Sequence, residues 1–264
     1  MTPILLLGAG RLGGALIDGW ALTGAFSPDQ LIVRDPNPSP AAQKAAENGA
    51  RLNPPDAVLA EARTVVMAVK PQIWGEVVES VAAKLSPEAV IVSVAAGVRL
   101  ADLRAAFGGR RIARVMPITA IGIGKGVASI VGDAPEAAER AKALFSPVGA
   151  AVELASEDQM DAATAISGSA PAYLYAFIEA LEAAGVAEGL APETSRDLVR
   201  ATMIGAAALL DHTGADPADL RRQVSSPGGT TEAALKVLMG EKGLGPLLAE
   251  AAAAAARRSR ELAG

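Results

Sequence analysis

Short apolar runs recur along the first part of the chain, at Ile4 to Leu7, Leu31 to Arg34, Thr64 to Val69, Val90 to Val94, Arg111 to Met116, Val127 to Val131 and Ala150 to Leu154. They are apolar throughout instead of alternating with period two. That is the pattern of strands covered on both faces, and helical stretches separate them, so the chain up to about Glu153 predicts an α/β domain built on a mostly parallel sheet. After Ser156 the strand signals stop. The remainder of the chain is rich in Ala, Leu and Glu and is punctuated by Gly185, Gly189 to Pro192, Gly214 to Pro217 and Ser226 to Gly229, the pattern of successive helices. The expected organisation is therefore residues 1–155 as the α/β domain and 156–264 as an all-helical one. The closing run Ala251 to Ala256, with Arg257 and Arg258 after it, reads as a helix with cations near its carboxyl end.

A helical domain of roughly 108 residues buries only about two thirds of its unfolded surface, a marginal core when so many side chains are alanine. Exchange of helices with a second chain would relieve that, so a homo-oligomer is expected.

Composition narrows the chemistry. The 264 residues are 51% hydrophobic, enough for a sizeable core, and the net charge of −5 supplies no basic face for a phosphate backbone; nucleic acid is not an expected partner. With no cysteine, and His212 as the single histidine, disulfides, thiolate zinc sites and histidine-cluster metal sites are excluded. The mean hydropathy of +0.31 comes largely from alanine. Its most apolar stretches, such as Ala89 to Val98, are far shorter than the roughly 20 residues of a bilayer span. The amino terminus carries no basic leader pattern, and a cytoplasmic protein away from membranes is expected.

Gly8-Ala9-Gly10-Arg11-Leu12-Gly13 directly follows the first strand and opens a helix running to about Leu22, the context that a G-x-G-x-x-G dinucleotide fingerprint requires. The first glycine serves the tight turn, the second lets backbone approach a pyrophosphate, and the third lets helix and strand pack closely. The helix amino terminus adds free N–H groups and positive potential. The predicted fold is thus a Rossmann-type domain, with a nicotinamide dinucleotide as its expected cofactor. At the end of the second strand Asp35 suits a ribose 2′-hydroxyl, favouring NADH, whereas Arg34 suits a 2′-phosphate, favouring NADPH; the two point in opposite directions. Later strand ends carry Ala68-Val69-Lys70-Pro71, then Ser93 to Gly97 with Ala95 and Ala96, where a flat nicotinamide could lie against backbone, and Arg114 to Pro117. Together these ends are expected on one edge of the sheet.

Two segments of the helical half stand out. Ser167 to Tyr173 interrupts an apolar helical stretch with residues that bend helices. Ser225-Ser226-Pro227-Gly228-Gly229-Thr230-Thr231 precedes a helix from Glu232 to Leu238, placing N–H groups and hydroxyls where a carboxylate could bind. It reads equally well as an ordinary N-cap supplied by Thr230 or Thr231.

Taken together, the glycine fingerprint, Ala68 to Pro71, Val94 to Val98, Arg114 to Pro117, Thr164 to Ser169 with Pro171 to Tyr173, and Ser225 to Thr231 resemble, in order and spacing, the pyrroline-5-carboxylate reductases. The resemblance spans essentially the whole chain. It departs at Ile118, where the family usually carries Asn, and at Ala170, where it carries Gly. The resemblance implies NAD(P)H-dependent reduction of 1-pyrroline-5-carboxylate, a cyclic imino acid, to L-proline, the last step of proline biosynthesis. It implies a cofactor lined by Gly8, Ala9, Gly10, Arg11, Leu12, Gly13, Arg34, Asp35, Ala68, Val69, Lys70, Pro71, Ala95 and Ala96. It further implies a substrate held by Ser226, Gly228, Gly229, Thr230 and Thr231, with Thr231 acting on the imine nitrogen, and an interlocked homodimer that assembles further into a decamer.

Three other readings stand beside it: reduction of another imine, oxidation or reduction of a 3-hydroxy acid, and a dinucleotide-binding sensor without catalysis. A 3-hydroxy acid needs a general base, commonly a helix lysine, and no lysine lies between Lys142 and Lys236. An imine nitrogen protonates near neutral pH and asks mainly for orientation.

Overall fold

In a computed structural model, which describes residues 1–262, the first compact unit is built on one eight-stranded sheet. Its elements alternate as the apolar runs predict: β1 (Ile4–Leu7), α1 (Arg11–Thr23), β2 (Leu31–Arg34), α2 (Pro40–Glu47), β3 (Arg51–Leu52), β4 (Thr64–Met67), α3 (Trp74–Val81), β5 (Val90–Ser93), α4 (Leu100–Phe107) and β6 (Ile112–Pro117). Next come β7 (Gly126–Gly132), α5 (Pro135–Phe145), β8 (Gly149–Glu153) and a single turn, α6 (Met160–Ala163). The sheet order is β3-β2-β1-β4-β5-β6-β7-β8. Every pairing is parallel except β6 with β7, which is antiparallel and joined by a short connection. Since β1, β2, β4, β5 and β6 all run the same way, their carboxyl ends share one edge, and the chain order reverses between β1 and β4 at that edge.

The uniformly apolar strands have the reason expected of them. Ile4, Leu6, Val33, Val66 and Val92 face one buried cluster with Leu16, Trp20 and Phe145, whereas Leu5, Leu7, Ile32, Val65, Met67 and Ile91 face a second with Val78, Leu103 and Phe107. Trp20 is fully buried, its indole N–H donating to the Leu144 carbonyl at 2.8 Å.

The second compact unit, residues 169–254, contains α7 (Ala170–Ala187), α8 (Pro192–Thr213), α9 (Pro217–Gln223), α10 (Thr230–Leu238) and most of α11 (Leu244–Leu262). It has scarcely any core. No residue of α7, α9 or α10 is fully buried, and α8 buries only Ser195 and Val199. Ile204 is 71% exposed and Val237 74%, in company with Leu174, Leu198, Met239 and Leu247. Helices with apolar side chains this open lack a partner surface.

The compact units divide later than the expected boundary at Ser156. Met160 is buried in the second cluster of the sheet unit, and Glu157 accepts hydrogen bonds from the Leu100 N–H at 2.8 Å and the Arg114 guanidinium at 2.9 Å. These contacts tie the segment after β8 to the sheet, so the first unit extends to Gly168 and also takes the end of α11 from Ala255 onward. Within it, Ser259 donates to the Asp161 carboxylate at 2.5 Å. Among the described residues no helix is long and apolar enough to cross a membrane, and no three His, Cys, Asp or Glu side chains group as a metal site.

Candidate active site

The three glycines of the fingerprint do three different things. Gly8 has φ of +90°, and a Cβ there would stand 2.9 Å from the Ala68 carbonyl and the Val69 side chain, so the turn passes hard against the end of β4. A Cβ on Gly13 would fall 2.1 Å from the Gly8 carbonyl oxygen, which only a bare backbone permits. Gly10 is neither strained nor crowded: nothing lies within 4 Å of a Cβ built on it. It caps α1 with no side-chain hydrogen bond, so no capping side chain covers the first N–H groups of that helix. The loop therefore fits a dinucleotide pyrophosphate, with the room above Gly10 left for it.

The strand ends expected on one edge are joined there by hydrogen bonds. The Gly8 N–H donates to the Arg34 carbonyl at 2.9 Å, the Ala68 N–H to Leu7 at 2.8 Å and the Val94 N–H to Met67 at 3.0 Å, extending the ladder past the strands. Thus Gly8 to Gly13, Arg34, Asp35, Ala68 to Pro71 and Ala95 with Ala96 all belong to that edge at the reversal of strand order. Lys70 is exposed and precedes a 3-10 turn opened by Pro71; Ala95 is buried and Ala96 exposed.

The opposed pair at the end of β2 has distinct settings. The Asp35 carboxylate accepts from the Ala9 N–H at 2.6 Å and from the Asn37 N–H at 2.7 Å, so the acid braces the glycine loop. Asn53 holds it from behind, accepting from the Asp35 N–H at 3.0 Å and donating to its carbonyl at 2.8 Å. Arg34 is already engaged through one guanidinium nitrogen. Its guanidinium is paired with Asp56, whose other oxygen meets Lys84 Nζ at 2.7 Å. Hydrogen bonds from Lys84 and then Arg34 hold the Asp56 carboxyl below its ordinary pKa.

Sequence reasoning missed Asn53, Asp56, Lys84 and the short strand β3. Only Asn53 carried a signal: its φ of +48° is one that asparagine tolerates, and it precedes Pro54-Pro55.

In the helical unit, α10 begins at Thr230, two residues before the expected start, and its N-cap is Gly229. Of the two readings the sequence left open for this turn, an N-cap by Thr230 or Thr231 is not what the structure shows: Gly229 holds that position, and Glu232 reaches back to accept from the Gly228 N–H at 2.6 Å. The preceding turn closes through the Gly229 N–H to Ser226 at 3.0 Å, with Gly228 at φ of +71°. Among the described residues the Thr230 and Thr231 hydroxyls make no hydrogen bond, so Ser226 to Thr231 presents hydroxyls and first-turn N–H groups not consumed internally. The segment expected to interrupt a helix holds a π-turn at Thr164–Gly168, where Thr164 and Ser167 donate to carbonyls four residues back, both at 2.8 Å. Ala170, where the sequence departs from glycine, opens α7.

Comparison with known proteins agrees with these features. Residues 157–262 match the family model described as "Pyrroline-5-carboxylate reductase dimerisation", and residues 3–97 match "NADP oxidoreductase coenzyme F420-dependent". The chain is 39% identical to a pyrroline-5-carboxylate reductase of Pseudomonas aeruginosa, covering 99% of this chain and 97% of that one. It is 38% identical to one of Pisum sativum, covering 97% and 94%. Among solved structures, a pyrroline-5-carboxylate reductase from Coxiella burnetii superposes with a TM-score of 0.91 at 29% identity over 100% of this chain and 99% of that one. The Plasmodium falciparum pyrroline carboxylate reductase with NADP bound gives 0.83 at 26%, covering 100% and 98%.

Proposed function

The chain belongs to the pyrroline-5-carboxylate reductase family, and we infer that its residues divide the reduction of 1-pyrroline-5-carboxylate to L-proline between the glycine edge and the α10 turn. NADH or NADPH, when bound, supplies the hydride that reduces the C=N carbon. Within Gly8 to Gly13 the pyrophosphate is held by backbone N–H groups from Gly10 onward, while the Gly8 and Ala9 N–H groups, given to Arg34 and Asp35, keep that loop in its binding shape. Ala68 to Pro71 line the cofactor with a cation and a fixed turn, and Ala95 with Ala96 form the wall on which the nicotinamide end rests, small enough to let a flat ring lie close.

Ser226 and Thr230 take the substrate carboxylate through hydroxyls and the first-turn N–H groups left open, on a turn that Gly228 and Gly229 shape while their own N–H groups go to Glu232 and Ser226, fixing the ring so that its imine nitrogen meets Thr231. The Thr231 hydroxyl hydrogen-bonds that nitrogen and orients it, or passes it the proton that leaves it an amine. Protonation of an imine near neutral pH makes no strong acid necessary, in keeping with the absence of a histidine or lysine in this segment.

The observation that carries this reading is the capping of α10 by Gly229, which leaves the Thr230 and Thr231 hydroxyls to a ligand. The apolar side chains open on α7, α8 and α10 support a homodimer through the helical unit, and we take that dimer to assemble further into a decamer in the cytoplasm. The test is oxidation of NAD(P)H by the purified chain with pyrroline-5-carboxylate, with proline identified as product. Cofactor binding without turnover of any cyclic imine would return the chain to the sensor reading, and turnover of a 3-hydroxy acid alone would displace the imine.

A further inference from the structure

The end of β2 carries an arrangement that the reaction itself does not require. Four charged side chains meet there: Asp35 faces the glycine loop, and Arg34, Asp56 and Lys84 form a chain of ion pairs beside it. In a Rossmann-type site the side chains at this strand end meet the adenosine ribose, where an acid selects the 2′-hydroxyl and a nearby arginine accommodates a 2′-phosphate. Both residue types are present, so selectivity depends on which is available. Asp35 is positioned: two backbone N–H groups and Asn53 hold it in place, and two hydrogen bonds leave its carboxylate further capacity to accept from a ribose hydroxyl. Arg34 is engaged, because its guanidinium lies on Asp56, which the 3-10 turn at Asp56–Glu61 presents and Lys84 holds from the other side.

Resting on the cofactor reading above, we propose that Asp56 is a specificity-determining residue for the adenosine end of the cofactor: by pairing with Arg34 it withholds the arginine from a 2′-phosphate, and the chain prefers NADH. A 2′-phosphate arriving here meets the fixed negative charge of Asp35. To gain Arg34 it must first compete with the Asp56 carboxylate. Lys84 does not offset this, since its ammonium is spent on the same acid. Asp56 touches neither the reacting atoms nor the glycine loop, so it acts through Arg34 as a positioning residue.

The test uses the full chain and two fragments that differ only at the 2′ position, 5′-AMP and 2′,5′-ADP, titrated by calorimetry. The native chain is expected to bind 5′-AMP at least as tightly as 2′,5′-ADP. In Asp56→Asn, and in Asp56→Ser as a second variant, affinity for 2′,5′-ADP rises by about five- to tenfold while that for 5′-AMP is unchanged, a range suited to one charged hydrogen bond at a half-exposed site. The gain shrinks as salt is raised toward about 0.5 M. It disappears in the double variant Asp56→Asn/Arg34→Gln. That last arm separates release of Arg34 from the mere removal of a negative charge, which would persist without the arginine. The kcat/KM ratio of NADPH to NADH moves in parallel.

The proposal is overturned if the Asp56 variants bind 2′,5′-ADP no more tightly, or less tightly because Asp56 instead holds Arg34 ready for phosphate, or if the double variant keeps the gain. Binding of neither fragment to the native chain overturns the cofactor reading and the proposal with it; failure of the 2′ selectivity alone leaves that reading standing.

Discussion

Thr231→Val removes one hydroxyl while keeping the shape of the side chain, and the structure separates its effect on activity from its effect on folding. Because Gly229 caps α10 and Glu232 occupies the Gly228 N–H, the Thr231 hydroxyl contributes no hydrogen bond to the folded chain. Loss of a cap, worth about 1 kcal/mol, is therefore not incurred, and Thr231→Ala even gains about 0.5 kcal/mol of helix propensity. In a chain of this size Tm should stay level or rise by about 1 °C. The catalytic cost has the opposite sign. A hydrogen bond to a nitrogen that becomes charged in the reaction is worth about 1.5 to 3 kcal/mol, so kcat/KM for the imine should fall roughly 10- to 150-fold. The fall belongs mainly in kcat, since the interaction strengthens in the transition state, and Thr231→Ser should restore most of it. The assay is steady-state oxidation of NADH with pyrroline-5-carboxylate, beside calorimetric binding of NADH and a thermal melt of each variant. NADH affinity should be unchanged, because the glycine edge belongs to the other compact unit. A variant that keeps its turnover number but loses NADH affinity, or that melts several degrees lower, would show that the hydroxyl is structural and would refute the assignment.

Gly13→Ala places a methyl 2.1 Å from the Gly8 carbonyl oxygen, where both partners are backbone. It should cost about 3 kcal/mol and abolish NADH binding even where the fold survives, as a melt and a titration would show. Ile204→Asp puts a charge on a side chain 71% exposed in the single chain but expected at the dimer interface. Sedimentation should show a shift toward monomer with a lower Tm, and an unchanged oligomer would remove α8 from the interface. The Asp56 cluster contributes its full stability above the ordinary carboxylate pKa of about 3.9, and because protonation breaks both ion pairs that contribution is lost as pH falls on through the folded value, which pairing depresses. The Tm difference between the native chain and Asp56→Asn should hold through neutral pH and vanish as pH falls below that value; a constant difference down to the acid limit would exclude the pairing as its source.

How far each feature is legible in the sequence depends on the range of the interactions that make it. The central strands β1, β4 and β5 were legible because each is buried on both faces, which removes polar positions from Ile4 to Leu7 or Val90 to Ser93 and leaves a mark on consecutive residues. The glycine loop was legible because its turn, open face and close contact require three glycines at fixed local spacing. The two-residue β3 leaves no such mark, and neither does the partnership of Arg34 with Asp56, 22 positions away in the chain. A charged pair on the surface has no period, so Arg34 looked free in sequence when it was engaged.

The helical unit was legible as a run of helices with too little core of its own, but the place where it parts from the sheet unit was not. A helix that packs only within its own chain advertises one apolar stripe, but α7, α8 and α10 carry apolar side chains that their own unit leaves open. Their pattern is written for a core that one chain does not contain. This also explains why Ser156 was a reasonable place to end the first domain and yet not the division between compact units. The change from strands to helices occurs there, but Glu157 and Met160 still serve the sheet, and only after the π-turn at Thr164–Gly168 do the helices belong to the second unit. Secondary-structure content follows local sequence, whereas a compact unit follows burial, and the two coincide only when a chain supplies its whole core by itself.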